Sequence, residues 1–325
     1  MASPRFERVM VKSDRLVVAG GYLDLQINGG WGCDFSRDPA SIWTVGERLV
    51  QHGVTAFLPT LISGGFDRLD EALDTLMAGP PAGWSGAIPI GFHLEGPWLN
   101  PLRRGAHGAA DLRPPVVPDR IRREEGVVLV TMAPEIDGGL RAILELRNRG
   151  VIVSAGHSAA SYEEAVAGFE TGVTMGTHIF NAMSGVHHRE PGLAAALLTD
   201  ASAAIGIIVD GEHVAPSVVR LSWQAAGDRL ILVSDAVSKL GITEDPVART
   251  ADGTLAGATV GIDQGVRNFV AFTDCDLPEA VQAASSRPRT LLGLTPSSDS
   301  WTEVDRDGFV TRTVVDGVVL FESSN

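Results

Sequence analysis

The chain alternates short apolar runs with longer amphipathic stretches. Eight runs have the length of a strand, and most are followed by a segment with helical periodicity. The runs are residues 21–29, 54–62, 88–96, 127–135, 151–158, 173–180, 203–211 and 229–236. Runs that are apolar throughout are typical of strands buried on both faces, as in a parallel sheet covered by helices. The pattern therefore predicts an α/β fold, a (β/α)8 barrel over residues 20–297.

The segments between the runs predict the helices. IWTVGERLVQHG, DRLDEALDTLMAG, LRAILELRNRG and SYEEAVAGFE carry apolar residues at helical spacing, and several stop at Gly. Residues 252–261 predict a Gly-rich loop, and residues 263–284 predict further helix. RFERVMVKSDRLVVAG and WTEVDRDGFVTRTVVDGVVLFES alternate with period two and contain DG turns. We expect residues 1–19 and 298–325 to pair as a small β domain beside the barrel.

Composition narrows the class of protein. With 325 residues, of which 44% are hydrophobic, the chain can bury an ordinary core. It contains no apolar run of membrane-spanning length and no signal-peptide core, so we expect a cytoplasmic protein without a membrane partner. Cys33 and Cys275 are too few for a disulfide framework or a Cys-based metal site. A net charge of -14 argues against nucleic acid, and an anionic substrate would need a local cationic pocket.

Polar residues cluster at the carboxyl ends of the apolar runs. They are Gln26, Asn28, Glu95, Glu135, His157, His178, Asp210 and Asp235. In a closed barrel these strand ends meet at one rim, where barrel enzymes carry their chemistry. Among them, Glu95, His157 and His178 form a two-imidazole, one-carboxylate set that is typical of catalytic zinc with an open position for water. A lone His is more often structural, but three candidate ligands at one rim favour a metal site.

Two further residues are candidates for proton transfer and for charge stabilisation. Asp235 fits a general base that takes a proton from the attacking water and returns it to the leaving amine. It could instead cap the following segment or orient a ligand His. His107, in the stretch RRGAHGAA, could donate to a carbonyl oxygen as charge develops there, or it could be a mobile surface His.

Several motifs together carry a family resemblance. They are GYLDLQINGG, GFHLEGPWLN, SAGHSAASYEEA, THIFNAMSGVHHREPGL, VDGEHV and LVSDAVSKLG. In this order the chain resembles N-acetylglucosamine-6-phosphate deacetylases, a branch of the amidohydrolase superfamily, from about residue 20 to its end. The resemblance implies removal of acetate from N-acetyl-D-glucosamine 6-phosphate, with Glu95, His157 and His178 as metal ligands and Asp235 as the acid/base.

The resemblance also implies substrate contacts and a partner. Ala106 and His107 would meet the acetyl and sugar groups. The implied sugar-phosphate contacts are Asn181, Ala182, Arg189, Asp210, His213, Leu255, Ala256 and Gly257. Arg189 is the candidate phosphate ligand, because a guanidinium binds phosphate bidentately, although a lone Arg more often forms a surface salt bridge. In the family this Arg crosses a dimer interface, so a homodimer is implied.

The first apolar run lacks a metal-binding motif that many amidohydrolases carry. Where they carry His-x-His for a second metal, this chain reads Gln26-Ile27-Asn28. Amides are poor zinc ligands, so we expect one divalent ion, Zn²⁺ first, with Fe²⁺, Co²⁺ and Mn²⁺ as alternatives. In relatives that share this variant, the two amides belong to the substrate end of the pocket.

Other departures leave alternatives open. About 20 residues precede the first barrel strand where the family has about 50, so we expect an abbreviated β-sandwich. Lys239 stands where relatives carry small residues, and it is either a solvated Lys or a change in the substrate site. The alternatives for function are a deacetylase of another N-acetylated amino sugar or conjugate, and a non-catalytic sugar-phosphate-binding protein.

Overall fold

The computed structural model describes residues 10–12, 15–200 and 202–324. Its strands, in chain order, are β1 (Met10–Lys12), β2 (Arg15–Ala19), β3 (Tyr22–Ile27), β4 (Gly29–Gly30), β5 (Cys33–Asp34), β6 (Val54–Ile62), β7 (Ile88–Pro89), β8 (Phe92–Glu95), β9 (Val127–Met132), β10 (Ile152–Ala155), β11 (Val173–Gly176), β12 (Ala204–Ile207), β13 (Leu230–Leu232), β14 (Val247–Arg249), β15 (Leu255–Ala258), β16 (Trp301–Asp305), β17 (Val310–Val315) and β18 (Val318–Glu322). Its helices are α1 (Ser41–Leu49), α2 (Phe66–Ala78), α3 (Gly139–Asn148), α4 (Tyr162–Thr171), α5 (Leu193–Thr199), α6 (Pro216–Ala226), α7 (Ile262–Phe272), α8 (Leu277–Ala284) and α9 (Ser286–Leu292).

The eight predicted runs form a parallel barrel. The sheet order is β13-β12-β11-β10-β9-β8-β6-β3, with β7 beside β6, and every pairing on this path is parallel. The ring closes where Ile27, at the end of β3, forms a parallel bridge with Ala236. At this seam Asp235 N donates to Gln26 O at 2.9 Å, and Asn28 N donates to Ala236 O at 2.7 Å. The predicted barrel is therefore confirmed.

Helices cover the barrel and bury their apolar sides against it. In α1, Ile42, Val45 and Leu49 are buried on one face, as helical periodicity requires. The four helices that we predicted between the early runs correspond to α1, α2, α3 and α4. No helix in the described part of the chain is long and apolar enough to cross a bilayer.

The two ends of the chain form one antiparallel sheet, as predicted. Its order is β1-β2-β16-β17-β18. The sheet is tied to the amino end of the barrel, where Thr302 Oγ1 donates to Gly53 O and Thr313 Oγ1 donates to Val50 O, each at 2.7 Å. It therefore lies away from the carboxyl ends of the strands. Residues 1–9, 13–14 and 325 of the predicted domain lie outside the described residues, and the proposed domain boundaries stay a prediction.

One prediction about the later part of the chain is wrong, and another is refined. Residues 252–261 are not simply a loop, because β15 pairs with β14 as an antiparallel hairpin and Ala258 bridges to Ala236. The many small residues of this segment carry little hydrophobic pattern that would indicate a strand. Residues 263–284 are helical, as predicted, but they form two helices, since α7 ends at Phe272 and Asp276 caps α8 by accepting from Glu279 N at 2.9 Å.

Arg289, a buried arginine in α9, connects this last helix to the backbone between β2 and β3. Arg289 is 6% exposed, and its guanidinium donates to Gly21 O at 2.8 Å, to Ser285 O at 2.9 Å and to Gly20 O. Burial lowers the pKa of Arg289 to about 10, so the group stays charged at neutral pH. No carboxylate among the described residues pairs with Arg289, so the dipoles of the carbonyl groups stabilise its positive charge.

Replacing Arg289 by Met is expected to lower the free energy of unfolding by about 3 kcal/mol, because three buried carbonyl oxygens lose their donors at about 1 kcal/mol or more each. Urea unfolding measures the change. Arg306→Met is the matched control, since that side chain is 82% exposed and should change stability by less than about 0.5 kcal/mol. An Arg289→Met protein as stable as this control would show that the guanidinium contacts contribute nothing.

Candidate active site

A cavity of about 770 Å³ opens at the carboxyl rim of the barrel. Its lining includes most residues that the sequence singled out, namely Asn28, Glu95, Ala106, His107, His157, His178, Asn181, Ala182, His213, Asp235, Leu255, Ala256 and Gly257. Gln26, Glu135, Arg189 and Asp210 do not line it. Residues spread over more than 200 positions thus share one pocket, because parallel strands deliver their carboxyl ends to one rim.

The Glu95 carboxylate is the centre of the site. Its Oε1 lies 3.1 Å from His157 Nε2 and 2.9 Å from His178 Nε2, and the two imidazole nitrogens are 3.2 Å apart. A tetrahedral ion with bonds of about 2.0–2.1 Å has ligand–ligand edges of about 3.3 Å. The three atoms therefore form a triangle of the size that one such ion requires.

The electrostatics of this triangle favour a bound positive charge. Burial opposes ionisation of Glu95, but the close imidazoles of His107, His157 and His178 outweigh it and hold the pKa of Glu95 well below its usual value. Burial also works against a charged His178, yet contact with Glu95 outweighs it and raises the pKa of His178. An ionised carboxylate buried among imidazoles attracts a cation, and a divalent metal ion meets that demand.

His157 is held in the tautomer that a metal ligand needs. Its Nδ1–H donates to Arg103 O at 2.9 Å, which leaves the Nε2 lone pair directed at the centre of the site. Burial lowers the pKa of His157, which works against a charged ring. The orienting carbonyl belongs to a single 3₁₀ turn, Pro101–Arg103, in the loop after β8.

Several site residues have a left-handed backbone, which is rare outside glycine. The φ angles are 48° at His157, 30° at His178, 49° at Ala182 and 50° at Asp235. Each such conformation costs on the order of 1 kcal/mol and persists only where surrounding contacts hold it. Sharp turns at the strand ends thereby aim the side chains into the cavity, a feature that no sequence motif indicates.

Asp235 is oriented by the two amides of the first strand. Its Oδ1 accepts from Asn28 Nδ2 at 2.8 Å and from Gln26 Nε2 at 3.1 Å. Gln26 Nε2 also donates to Glu95 Oε1 at 3.0 Å, so this amide bridges the two carboxylates. Burial, and then the negative charge of Glu95, raise the pKa of Asp235 to about 6. A carboxyl group with this pKa can both accept and return a proton near neutral pH.

His107 lies beside the same carboxylate and is buried. Its Nε2 is 3.6 Å from Glu95 Oε2, while its Nδ1 lies 3.3 Å from Ser63 N and 2.9 Å from Ser63 Oγ. Because the backbone N–H of Ser63 donates to Nδ1, the proton of the neutral ring is on Nε2, facing the cavity. Glu95, His107 and His157 bring one potential ligand atom each within 4.8 Å of one another. His107 is therefore not a mobile surface residue.

Two of the predicted substrate contacts that lie outside the cavity lining support it from behind. Gln26 holds Asp235, as described, and Asp210 Oδ2 accepts from His213 Nδ1 at 2.5 Å, so Asp210 fixes a ring that does line the cavity. The resemblance implies direct substrate contact for Asp210, but this arrangement favours a supporting role behind His213. Arg189 is exposed on the loop before α5 and lies outside the cavity of its own chain.

The cavity also has basic side chains at its rim, and only one of them was predicted. Arg37, Arg103, Lys239 and Arg249 line it. Of these, only Lys239 belongs to one of the sequence motifs, whereas Arg37 and Arg103 lie in loops and Arg249 ends β14. These basic side chains are a local source of positive charge for an anionic ligand on a chain of net charge -14, and Asp34, 3.5 Å from Arg37, also lines the cavity.

A second buried carboxylate, which is not among the residues predicted from the sequence, lies at the barrel seam. Asp24 is 1% exposed, and it accepts from Gln26 N and Ser234 N, each at 3.2 Å, and from Ser234 Oγ. Burial raises the pKa of Asp24 to about 7, although these hydrogen bonds favour its charged form. Asp24 thus holds Ser234, the residue before Asp235, against the first barrel strand.

Replacing Asp24 by Asn is expected to raise the thermal stability, and to raise it clearly more at pH 8 than at pH 5. The folded-state pKa lies above the unfolded value of about 3.8, so ionisation costs folding free energy as the pH rises from about 4 to about 7. The amide can still accept from both backbone N–H groups and donate to Ser234 Oγ. Melting curves between pH 5 and pH 8 measure the difference, with exposed Asp137→Asn as the control. A gain that is equal at both pH values would contradict the buried-charge explanation.

Comparison with known proteins agrees with this geometry. Residues 16–303 match the Amidohydrolase family. The chain is 34% identical over 321 residues to an N-acetylglucosamine-6-phosphate deacetylase of Danio rerio, covering 87% of this chain and 77% of the relative. It is 32% identical over 306 residues to an N-acetylgalactosamine-6-phosphate deacetylase of Escherichia coli O157:H7, covering 88% and 80%.

A solved structure with the same fold has been determined with a ligand. It is a mutant N-acetyl-D-glucosamine-6-phosphate deacetylase from Mycobacterium smegmatis in complex with N-acetyl-D-glucosamine-6-phosphate. The TM-score is 0.85 at 34% identity, and the match covers 94% of this chain and 86% of that one. From its sequence, its barrel and its Glu-His-His centre, the chain belongs to the amidohydrolase family, in the branch that contains the deacetylases of N-acetylated amino-sugar phosphates.

Proposed function

We propose that this protein hydrolyses the acetamide of N-acetyl-D-glucosamine 6-phosphate and releases acetate and glucosamine 6-phosphate. The observation that carries the proposal is the convergence of Glu95, His157, His178 and Asp235 in one cavity with a cationic rim. Family membership and the deacetylase relatives agree with this chemistry. A non-catalytic sugar-phosphate-binding protein would have no use for a proton carrier beside a metal set.

Glu95, His157 and His178 are proposed to hold one divalent ion, with Zn²⁺ as the first candidate and Fe²⁺, Co²⁺ and Mn²⁺ as alternatives. Such an ion, when bound, polarises a carbonyl oxygen and lowers the pKa of water. Support for a single ion comes from Gln26 and Asn28, whose amide N–H groups point at Glu95 and Asp235. Donor hydrogens in those positions would repel a second cation.

Asp235 is proposed to move the proton. Its Oδ1 is engaged by the amides of Gln26 and Asn28, so Oδ2 is the oxygen available to accept from water. Water oxygen bonds to the acetamide carbon as Asp235 takes the water proton. The C–N bond then breaks as Asp235 returns that proton to the nitrogen, and acetate and the amine leave. One carboxyl group thereby serves as base and then as acid.

His107 is proposed to stabilise the charge that develops on the carbonyl oxygen. Its Nε2–H faces the cavity because Ser63 N donates to Nδ1. A positioned donor of this kind contributes most where water is excluded, and His107 is only 4% exposed. Ala106 belongs to the same loop and is proposed to contact the acetyl group.

The remaining predicted contacts are proposed to bind the sugar and its phosphate. Those that line the cavity are Asn28, Asn181, Ala182, His213, Leu255, Ala256 and Gly257. Arg189 lies outside the cavity of its own chain, which is consistent with the proposal that it reaches the phosphate in the partner subunit of a homodimer. Gel filtration with light scattering tests the dimer, and a monomer that is fully active would end this part of the proposal.

A second candidate substrate is N-acetyl-D-galactosamine 6-phosphate, because a relative at 32% identity is a deacetylase of that sugar. The two compounds differ in the orientation of one hydroxyl group, which does not touch the acetamide chemistry. Acetate release from both phosphates and from the unphosphorylated sugars, compared through kcat/KM, tests the assignment. We expect the highest value for N-acetyl-D-glucosamine 6-phosphate and much lower values without phosphate. No acetate from any of them with zinc-loaded protein would overturn the proposed function.

A further inference from the structure

We propose that Glu135 is a positioning residue for His157, which holds the imidazole of this metal ligand in its tautomer and direction. Glu135 follows β9 and does not line the cavity. The resemblance assigns no role to it, and it takes no part in the proposed reaction. The inference rests on the proposed function only in that His157 is taken to bind the metal.

The carboxylate of Glu135 is held by three donors. Its Oε1 accepts from Asn100 Nδ2 at 2.9 Å and from Ala159 N at 2.6 Å, and its Oε2 accepts from Ser158 Oγ at 2.7 Å. Hydrogen bonds to a carboxylate are shorter and stronger than bonds between neutral groups. Glu135 thus connects two loops by hydrogen bonds, the loop after β8 and the loop after β10.

The first loop supplies the partner of the His157 ring. Asn100 Oδ1 accepts from Leu102 N at 2.9 Å and so caps the 3₁₀ turn Pro101–Arg103. The last carbonyl of that turn, Arg103 O, accepts from His157 Nδ1 at 2.9 Å. Asn100 N also donates to His157 O at 2.9 Å. By holding Asn100, Glu135 therefore holds the group that sets the tautomer of the ring.

The second loop holds the backbone of His157 itself. Ser158 and Ala159, which both donate to Glu135, directly follow this residue. The backbone of His157 is left-handed, with φ at 48°, and relaxation to an ordinary conformation would turn the side chain out of the site. Glu135 thus opposes that relaxation from one side and orients the ring from the other.

Loss of this support is expected to weaken metal binding more than folding. Partners that orient a metal-binding His typically contribute about 10–100-fold to metal affinity or activity. Glu135→Leu keeps the approximate volume and removes all three acceptor contacts. Glu135→Gln can keep them, because its Oε1 can accept from Asn100 Nδ2 and Ala159 N while its Nε2 donates to Ser158 Oγ.

The test measures zinc affinity of the metal-free full chain by competition with a chelating dye. We expect Glu135→Leu to bind zinc about 10–100-fold more weakly than wild type, and Glu135→Gln to recover most of the loss. The visible absorption of the Co²⁺-substituted proteins should change in Glu135→Leu and stay close to wild type in Glu135→Gln. Glu163→Leu, an exposed site on α4 with no partner among the described residues, is the matched control.

The outcomes separate the two proposals. Wild-type zinc affinity and an unaltered Co²⁺ spectrum in Glu135→Leu would overturn the positioning role, and so would a Glu135→Gln protein as impaired as Glu135→Leu. If Glu135→Leu does not fold, Asn100→Ala carries the test, because it removes the link to the turn Pro101–Arg103 and should weaken zinc binding in the same direction. Wild-type protein that binds none of Zn²⁺, Fe²⁺, Co²⁺ and Mn²⁺ would instead overturn the proposed function.

Discussion

Replacing Asp235 by Asn is expected to lower kcat by about 10²–10⁴-fold while the bound metal stays in place, because an amide cannot carry the proton. The change is close to isosteric, since the Oδ1 of Asn can still accept from Gln26 and Asn28. KM should change little, as the side chain is proposed to act on the reacting atoms and not on binding. Steady-state kinetics and metal analysis of the same preparation measure both quantities.

The pH profile provides a second readout of the same residue. The base acts when ionised, and the pKa of Asp235 is raised to about 6, so kcat/KM should rise with pH and level off above about 6. A bound cation favours the carboxylate and moves this limb to lower pH. The limb should disappear in Asp235→Asn and persist in Asp137→Asn, which makes the same exchange at an exposed site. Near-normal turnover in Asp235→Asn would remove Asp235 from the mechanism.

Replacing Glu95 by Gln is expected to abolish stoichiometric metal binding. Glu95 Oε1 is the atom shared by both imidazoles, and its charge is what attracts a cation to this buried place. Because loss of an orienting partner alone costs about 10–100-fold in metal affinity, loss of a ligand charge should cost at least about 100-fold. Metal content after dialysis against metal-free buffer, and activity at limiting zinc, report the effect.

Metal removal from the wild type gives the companion experiment. A chelator should abolish activity, and added zinc should restore it, whereas Glu95→Gln should need a large excess of zinc. Glu163→Gln makes the same exchange at an exposed position and should behave as wild type. If Glu95→Gln retained one equivalent of metal, the Glu-His-His triangle would be a buried ion-pair cluster and not a metal site.

The barrel could be predicted because its signal is local and repeated. Each strand is an apolar run, and runs such as Val127–Met132 are buried at every position, so neither face has to be polar. The hairpin of Val247–Arg249 and Leu255–Ala258 escaped prediction because small residues carry little hydrophobic pattern. The break between α7 and α8 is signalled by Asp276 and Pro278, an N-cap residue and a proline in the first turn of α8.

The site was predictable only to the level of which residues meet. Polar side chains at strand ends indicated Glu95, His157, His178 and Asp235, since the topology alone brings strand ends together. Orientation could not be predicted in the same way. The tautomer of His157 depends on a backbone carbonyl of Arg103, which no side-chain pattern encodes. Asp210 likewise reads as a rim residue in sequence, but its partner His213 is the one facing the cavity.

Closure of the barrel has a consequence for how activity returns during refolding. Asp235 accepts hydrogen bonds from Gln26 and Asn28, which are 209 and 207 positions away in the chain. These contacts can form only after the first and last barrel strands have paired. Long-range pairing of this kind is slow compared with helix formation. During refolding, the far-ultraviolet circular dichroism signal should therefore recover before catalytic turnover does. The rate at which acetate release returns would then measure the rate of barrel closure.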